Sequence, residues 1–226
     1  MLFQDRFEAG RLLASRLSQF ANRNDVIVLG LPRGGVPVAF EVARILKSPL
    51  DVFVVRKLGV PGEEELAMGA IASSGIQVVN RNVVDALGIK KDQIERVAAE
   101  QQTELERRER EYRDGRPMLE VRGRTPILVD DGLATGSSMR SAVAALRKRD
   151  PAQIVVAIPV AAPSVYRELK SEADQVVCVA TPERFVAVGQ WYLDFRQTGD
   201  EQVRELLALN QRAFCPPRSS IGGLLR

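Results

Sequence analysis

The sequence predicts an α/β fold whose sheet is doubly wound and mostly parallel. Three observations carry this expectation. Short apolar runs near 26–30, 125–131 and 153–160 alternate with stretches of helical periodicity. Several of those runs are unbroken and rich in Val and Ile, as expected of strands covered on both faces. The loops that follow them are rich in Gly, Pro, Ser and Thr, and folds of this class bind ligands at the carboxyl ends of their strands.

Taken in order, residues 5–21 read as an amphipathic helix with Phe7, Leu13, Leu17 and Phe20 on one side. Residues 26–30 form a buried strand, 36–46 a helix and 51–56 a second strand. Residues 68–73 and 76–80 suggest a hairpin about Ser74 and Gly75, and 82–87 a helical turn. Residues 90–113 form a long charged helix with a thin apolar stripe of Ile94, Val97, Ala98, Leu105 and Tyr112. The favoured reading is a surface helix laced by ion pairs four residues apart; the alternative is a lid or dimer contact. A strand at 125–131, a helix at 139–149 and a strand at 153–160 follow. A helix at 164–170 and a strand at 175–180 come next. Thr198 and Glu201 have capping-box spacing ahead of a helix at 203–210. The Pro/Gly/Ser-rich stretch 216–226 reads as a poorly ordered tail.

Composition narrows the function classes. The chain of 226 residues suits one α/β domain, and 45% hydrophobic residues can bury a sizeable core. The net charge of +3 comes from 32 basic and 29 acidic residues, with no basic block of the kind a nucleic-acid binder would want. No apolar run is long enough to span a membrane. Gln4, Asp5, Arg6 and Glu8 interrupt the beginning of the chain, so no signal peptide is read and a cytoplasmic location is expected. Cys178 and Cys215 offer neither metal spacing nor a disulfide framework. Histidine is absent, which removes His-based triads and the commonest metal ligand. Any metal must be held by oxygen, which suits Mg²⁺ beside a phosphate.

The richest stretch runs Ile127-Leu128-Val129-Asp130-Asp131-Gly132-Leu133-Ala134-Thr135-Gly136-Ser137-Ser138. It is a strand, two adjacent acids, a small-residue loop and a helix start. Backbone N–H groups and hydroxyls at a helix N-terminus make a phosphate site. Two acids beside it fit a ligand that also carries sugar hydroxyls or shares a divalent cation. A phosphorylated ribose has these features.

This stretch resembles the motif by which type I phosphoribosyltransferases bind 5-phosphoribosyl-1-pyrophosphate (PRPP). Gly132 and Ser138 replace residue types commoner at those places, and neither change removes a donor. The resemblance implies that Ala134, Thr135, Gly136, Ser137 and Ser138 hold the 5-phosphate. Asp130 and Asp131 would take the ribose hydroxyls, directly or through Mg²⁺, with Asp131 the candidate general base. The loop Leu31-Pro32-Arg33-Gly34-Gly35 is itself an anion-binding design, since glycines present N–H groups and Arg33 can grip two oxygens. It looks like the family's pyrophosphate loop. Lys57, with Arg56 as the second choice, resembles the basic residue that also meets pyrophosphate; Lys57 is counted with Asp130 and Asp131 as catalytic. Residues 60–67 correspond in position to the family's mobile loop.

The segment 181–195 resembles the hood of the hypoxanthine–guanine-type members. Phe185, Val186 and Trp191 would face the acceptor, and Asp194 would join Asp130 and Asp131 near the metal, possible contacts through water included. The Phe185-to-Asp194 spacing is longer than in those members, and 159–165 has no Lys to read a purine 6-oxo group. The acceptor therefore stays open. The implied organisation is a single domain over 1–215, with a core at 25–180, a helical insertion at 82–115, and a hood made by 181–200 with the N-terminal helix. The implied activity transfers ribose 5-phosphate to a base, with PRPP and a small acceptor as partners and a homodimer as an expected assembly. A non-catalytic PRPP or nucleotide sensor is the alternative.

Overall fold

The computed structural model describes residues 2–214, so the expected tail at 216–226 lies outside the described residues. Its centre is a five-stranded, wholly parallel sheet made by β1 (Val26–Gly30), β2 (Leu50–Val52), β6 (Thr125–Val129), β7 (Val155–Val160) and β8 (Gln175–Ala180). The strand order is β2-β1-β6-β7-β8. A separate antiparallel sheet holds β3 (Val55–Val60), β4 (Glu63–Ala72) and β5 (Ile76–Val79).

Side chains alternate across the central sheet and divide the core. Val26, Val28, Ile127 and Val129 face one apolar cluster, which α1 (Arg6–Ser15), α2 (Gly35–Leu46), α4 (Lys91–Arg113) and α7 (Asp200–Phe214) help to build. Ile27, Leu29 and Leu128 face a second, closed by α5 (Ser137–Arg147) and α6 (Pro163–Leu169). Helices on both faces explain why these strands read as continuous apolar runs. The short helix α3 (Arg81–Leu87) leads from β5 into α4.

Four expectations are revised. The first helix ends at Ser15, and a 3-10 turn at Ser18–Phe20 replaces its last part. The strand expected at 51–56 divides: β2 ends at Val52, and Val54 already bonds to Ser73, in the 3-10 turn that joins β4 to β5 of the second sheet. Its hydrophobic period continues across the break, so periodicity could not register the change of partner. Residues 60–67 are no open loop. They are the turn and flanks of the β3–β4 hairpin, with Gly62 at φ +86° between Val60 and Glu63. The last helix starts at Asp200 and runs to Phe214, longer at both ends than the apolar period suggested.

The charged helix α4 is both laced and buried. Arg107 and Arg108 pair with Glu104, and Arg107 also with Glu111, on its outer side. Ile94, Ala98, Leu105 and Tyr112 are buried on the other.

Chain order places the ligand end. From β1 the winding goes outward to β2, and from β6 it goes the opposite way to β7 and β8. The switch falls between β1 and β6, and doubly wound folds bind ligands in a crevice at the carboxyl ends beside such a switch.

Candidate active site

The loops after β1 and β6 meet at that crevice. β1 and β6 pair in register up to Gly30 opposite Val129, and Leu31 N–H donates to Val129 O at 2.9 Å. Beyond them the loop after β1 comes so close to β6 and the acids that a Cβ meets atoms already there. A Cβ on Gly34 would lie 2.1 Å from Asp131 Oδ2, and one on Gly35 would lie 2.7 Å from the Val129 carbonyl. The pyrophosphate-loop candidates and the ribose-acid candidates are thus in direct contact. The Pro32–Arg33 peptide bond is cis. Arg33 Nη1 lies 3.8 Å from Asp200 Oδ2 at the start of α7, and Asp200 Oδ1 accepts the Tyr112 hydroxyl.

Asp130 and Asp131 are partly buried and differ in their partners. Asp130 accepts the Asp131 N–H at 2.9 Å and has no cation bonded to it among the described residues. Burial first, and then the charge of Asp131, push its carboxyl well above the usual carboxylate range. Asp131 Oδ2 accepts from Arg6 Nε at 2.8 Å. Burial raises Asp131 as well, while the Arg6 guanidinium pulls it back down. The Tyr192 hydroxyl donates to the Asp131 carbonyl, so the hood grips the backbone of the second acid.

The loop 132–136 hangs from the end of β7. Leu133 N–H donates to Val160 O at 3.0 Å, and Ala162 N–H donates to Leu133 O at 3.0 Å. Gly136 then turns at φ +68° to start α5, where a Cβ would lie 2.5 Å from Val165 Cγ1. Ala134, Thr135, Ser137 and Ser138 are exposed. The first N–H groups of α5 have no acceptor within the helix, and its dipole favours an anion there. Thr135 Oγ1 and Ser137 Oγ lie 3.4 Å apart, ready to converge on one group. A cleft of about 390 Å³ adjoins Ser137 and Arg140, between α5 and strands β4 and β5.

Other expected residues fare differently. Lys57 is exposed on β3 opposite Ala70, within the second sheet and not on a loop of the central one. Arg56 is turned to α4, with Nε donating to Gln101 Oε1 at 2.7 Å and Nη1 lying 3.8 Å from Glu104. Asp194 is held by Arg196, its Oδ2 lying 2.6 Å from Nη2, and that contact lowers its carboxyl to about 2. It does not join Asp130 and Asp131: no group of three or more acidic or Cys side chains able to hold an ion occurs among the described residues. Phe185 and Trp191 pack against a small cluster of Phe3, Ala9, Val160 and Tyr192, and the indole N–H of Trp191 is buried without a partner among the described residues. Val186 is 78% exposed.

Arg6 and Tyr192 are the residues that sequence reasoning missed. Arg6 also donates from Nη1 to Arg196 O at 2.8 Å and lies 3.9 Å over the Phe195 ring. Beside it opens a cleft of about 380 Å³ lined by Arg6, Phe7, Asp194, Arg196 and Gln202. Nothing in the local sequence around position 6 marks such a role.

Residues 4–196 match the family model described as phosphoribosyl transferase domain. Two Mycobacterium tuberculosis proteins, from strains CDC 1551 / Oshkosh and H37Rv, are named as candidate phosphoribosyl transferases. Each is 46% identical over 213 residues, which are 94% of this chain and 48% of theirs. The chain thus spans about half the length of these curated relatives. The crystal structure of TT1426 from Thermus thermophilus is similar at TM-score 0.82 and 44% identity, covering 92% of this chain and 98% of that one.

Proposed function

The chain belongs to the phosphoribosyl transferase family, and on that premise we propose that it moves ribose 5-phosphate from PRPP to a nitrogenous acceptor, releasing pyrophosphate. The observation that carries this reading is the contact of the two loops. Gly34 lies against the Asp131 carboxylate, so one ligand crossing this point would meet the Arg33 loop, both acids and the N-terminus of α5 in turn. PRPP presents pyrophosphate, ribose hydroxyls and phosphate in that order.

In the proposed reaction the bond from ribose C1 to the pyrophosphate oxygen breaks and a bond from C1 to the acceptor nitrogen forms. The acceptor gives up a proton. Positive charge grows on the ribose as negative charge grows on the leaving group, so positioned donors and cations lower the barrier. Arg33 and the N–H of Gly34 receive the pyrophosphate, while Gly35, whose N–H donates to the Leu31 carbonyl at 3.0 Å, lets the loop approach β6. Ala134 to Ser138 hold the 5-phosphate, and Asp130 and Asp131 accept from the ribose hydroxyls. The free carboxylate of Asp130 supports it, over Asp131, as the proton acceptor, since Asp131 is tied to Arg6.

Asp130 and Asp131 offer oxygen donors of the kind Mg²⁺ takes, with Asp130 free of any ion pair among the described residues, and these two would hold the ion. Bound there, the ion would neutralise charge on the leaving group. The reading places the reaction in the cytoplasm, where a charged sugar phosphate is retained. No helix of the described residues is long and apolar enough to cross a membrane.

The test is pyrophosphate release from PRPP and Mg²⁺ with a panel of bases, repeated after chelation. Asp130→Asn with Asp131→Asn should abolish PRPP binding; unchanged affinity would sink the assignment. A second reading, a PRPP-binding regulator without catalysis, is favoured by one observation: Arg6 already occupies the second acid. Tight PRPP binding without release on any acceptor would select it.

A further inference from the structure

The largest cavity of the molecule among those described is not at the crevice. A groove of about 640 Å³ opens at the opposite edge of the central sheet, where Asn24, Leu50 and Arg124 stand at the amino ends of β1, β2 and β6. Ligand pockets commonly enclose about 300–1,000 Å³. None of the residues assigned above to PRPP or its acceptor lines it.

Its lining is two-sided. Arg23, Lys47, Arg113, Arg116 and Arg124 supply cations. Arg23 is spent on Asp25, and Arg113 on Asp51 and Glu109. Lys47, Arg116 and Arg124 form no ion pair with an acid among the described residues; Arg116 donates only to the Arg113 carbonyl, and Arg124 to that of Asn24 at 3.5 Å. Asp51 is the one acid in the wall among the described residues, and both its oxygens are taken, by Arg113, Val52 N–H and Leu119 N–H. Pro117, Leu119, Leu207 and Phe214 add apolar surface to the lining, the last an aromatic ring left 41% exposed.

We propose that this groove is a second ligand site, for a nucleotide. Unpaired cations with no competing acid attract phosphate, and the two arginines can grip it bidentately. Apolar surface with an exposed aromatic ring accepts a base by stacking. A bare anion would leave the apolar wall in water, and a purely apolar ligand would leave the cations unanswered. The groove also touches both helices that reach the catalytic loop. α7 carries Phe214 at this end and Asp200, the partner of Arg33, at the other. α4 places Arg113 in the groove wall next to Tyr112, which bonds Asp200.

The experiment is photolabelling of the whole chain with 8-azido-ATP, followed by peptide mapping. The expected labels fall within 113–124 and 203–214, and unmodified ATP suppresses them. Lys47→Glu with Arg116→Glu, both exposed positions, should reduce them about tenfold or more, as for loss of charge-assisted contacts. Inorganic triphosphate at equal ionic strength should compete poorly. Labels confined to 130–140 or 181–196, indifference to the charge reversals in a chain of unchanged melting temperature, or equal competition by triphosphate would each overturn the proposal. The mapping needs no PRPP turnover, so a failed transferase assay leaves it intact.

Discussion

Arg6 Nε donates to Asp131 Oδ2 at 2.8 Å across 125 residues of sequence. The same guanidinium stacks on Phe195 and bonds the Arg196 carbonyl, so one side chain ties α1, the second acid and the hood together. Its charge opposes the upward push that burial gives Asp131. If ribose binding needs Asp131 ionised, affinity is present above its pKa and lost as pH falls through it. Removing Arg6 raises that pKa, so Arg6→Gln should lose Mg·PRPP affinity at a higher pH than the parent. Calorimetric titration across pH reads this directly, and superimposable profiles would contradict it.

Gly34→Ala places a methyl group 2.1 Å from Asp131 Oδ2. One of the two loops must move, and overpacking of this kind costs about 1–3 kcal/mol. We expect PRPP affinity to fall about tenfold to a hundredfold while the fold survives, because the displaced atom ends a side chain. Gly35→Ala meets the Val129 carbonyl at 2.7 Å, a backbone atom of the central sheet. That variant should lose melting temperature as well. Equal effects of the two on melting would argue against the distinction.

The raised carboxyl of Asp130 has a consequence for stability. Its folded pKa lies above its unfolded one because burial and Asp131 disfavour the charge. The group's contribution is therefore fully present below the ordinary carboxylate range and lost as pH rises through the raised value. Asp130→Asn removes that loss. The variant should melt higher than the parent at pH 8, with the gap shrinking towards pH 4. A constant gap would mean the acid is not destabilised by burial.

A third buried charge is structural. Arg113 and Asp51, 6% and 7% exposed, pair at 2.8 Å, and Arg113 Nη2 also donates to the Val52 carbonyl. Breaking such a pair from one side leaves a buried carboxylate unanswered, at a cost of about 3–5 kcal/mol. Arg113→Met should lose about that much in urea unfolding, and adding Asp51→Leu should restore part of it. Additive losses in the double variant would show that the two residues act separately.

The strand, turn and helix start within 127–138 were legible because they are contiguous and each has its own local pattern. The Arg33 loop was legible for the same reason, and glycines at 34 and 35 signal a close approach. What escaped notice depends on partners far away in sequence. Arg56 and Lys57 read alike, yet Gln101 draws one onto α4 and the β3–β4 pairing leaves the other exposed. Asp194 resembles a metal ligand until Arg196, two residues on, claims it. The split of the 51–56 strand was hidden because Val54 and Val55 are as apolar in one sheet as in the other. Arg6 carries no local mark at all.

The clasp between the two ends of the described chain has a consequence for synthesis. Leu193 N–H donates to Phe3 O, Phe3 bridges Tyr192, and Arg6 reaches the Arg196 carbonyl 190 residues away. A ribosome delivers Arg6 early, and Asp131 well before Tyr192 and Arg196. The parallel sheet between β1 and β7 can assemble on the emerging chain while its second acid still lacks the hood. A nascent chain therefore lacks this clasp until residues 192–196 have left the exit tunnel, so the closing of the N-terminal helix against the hood is a late event in its synthesis.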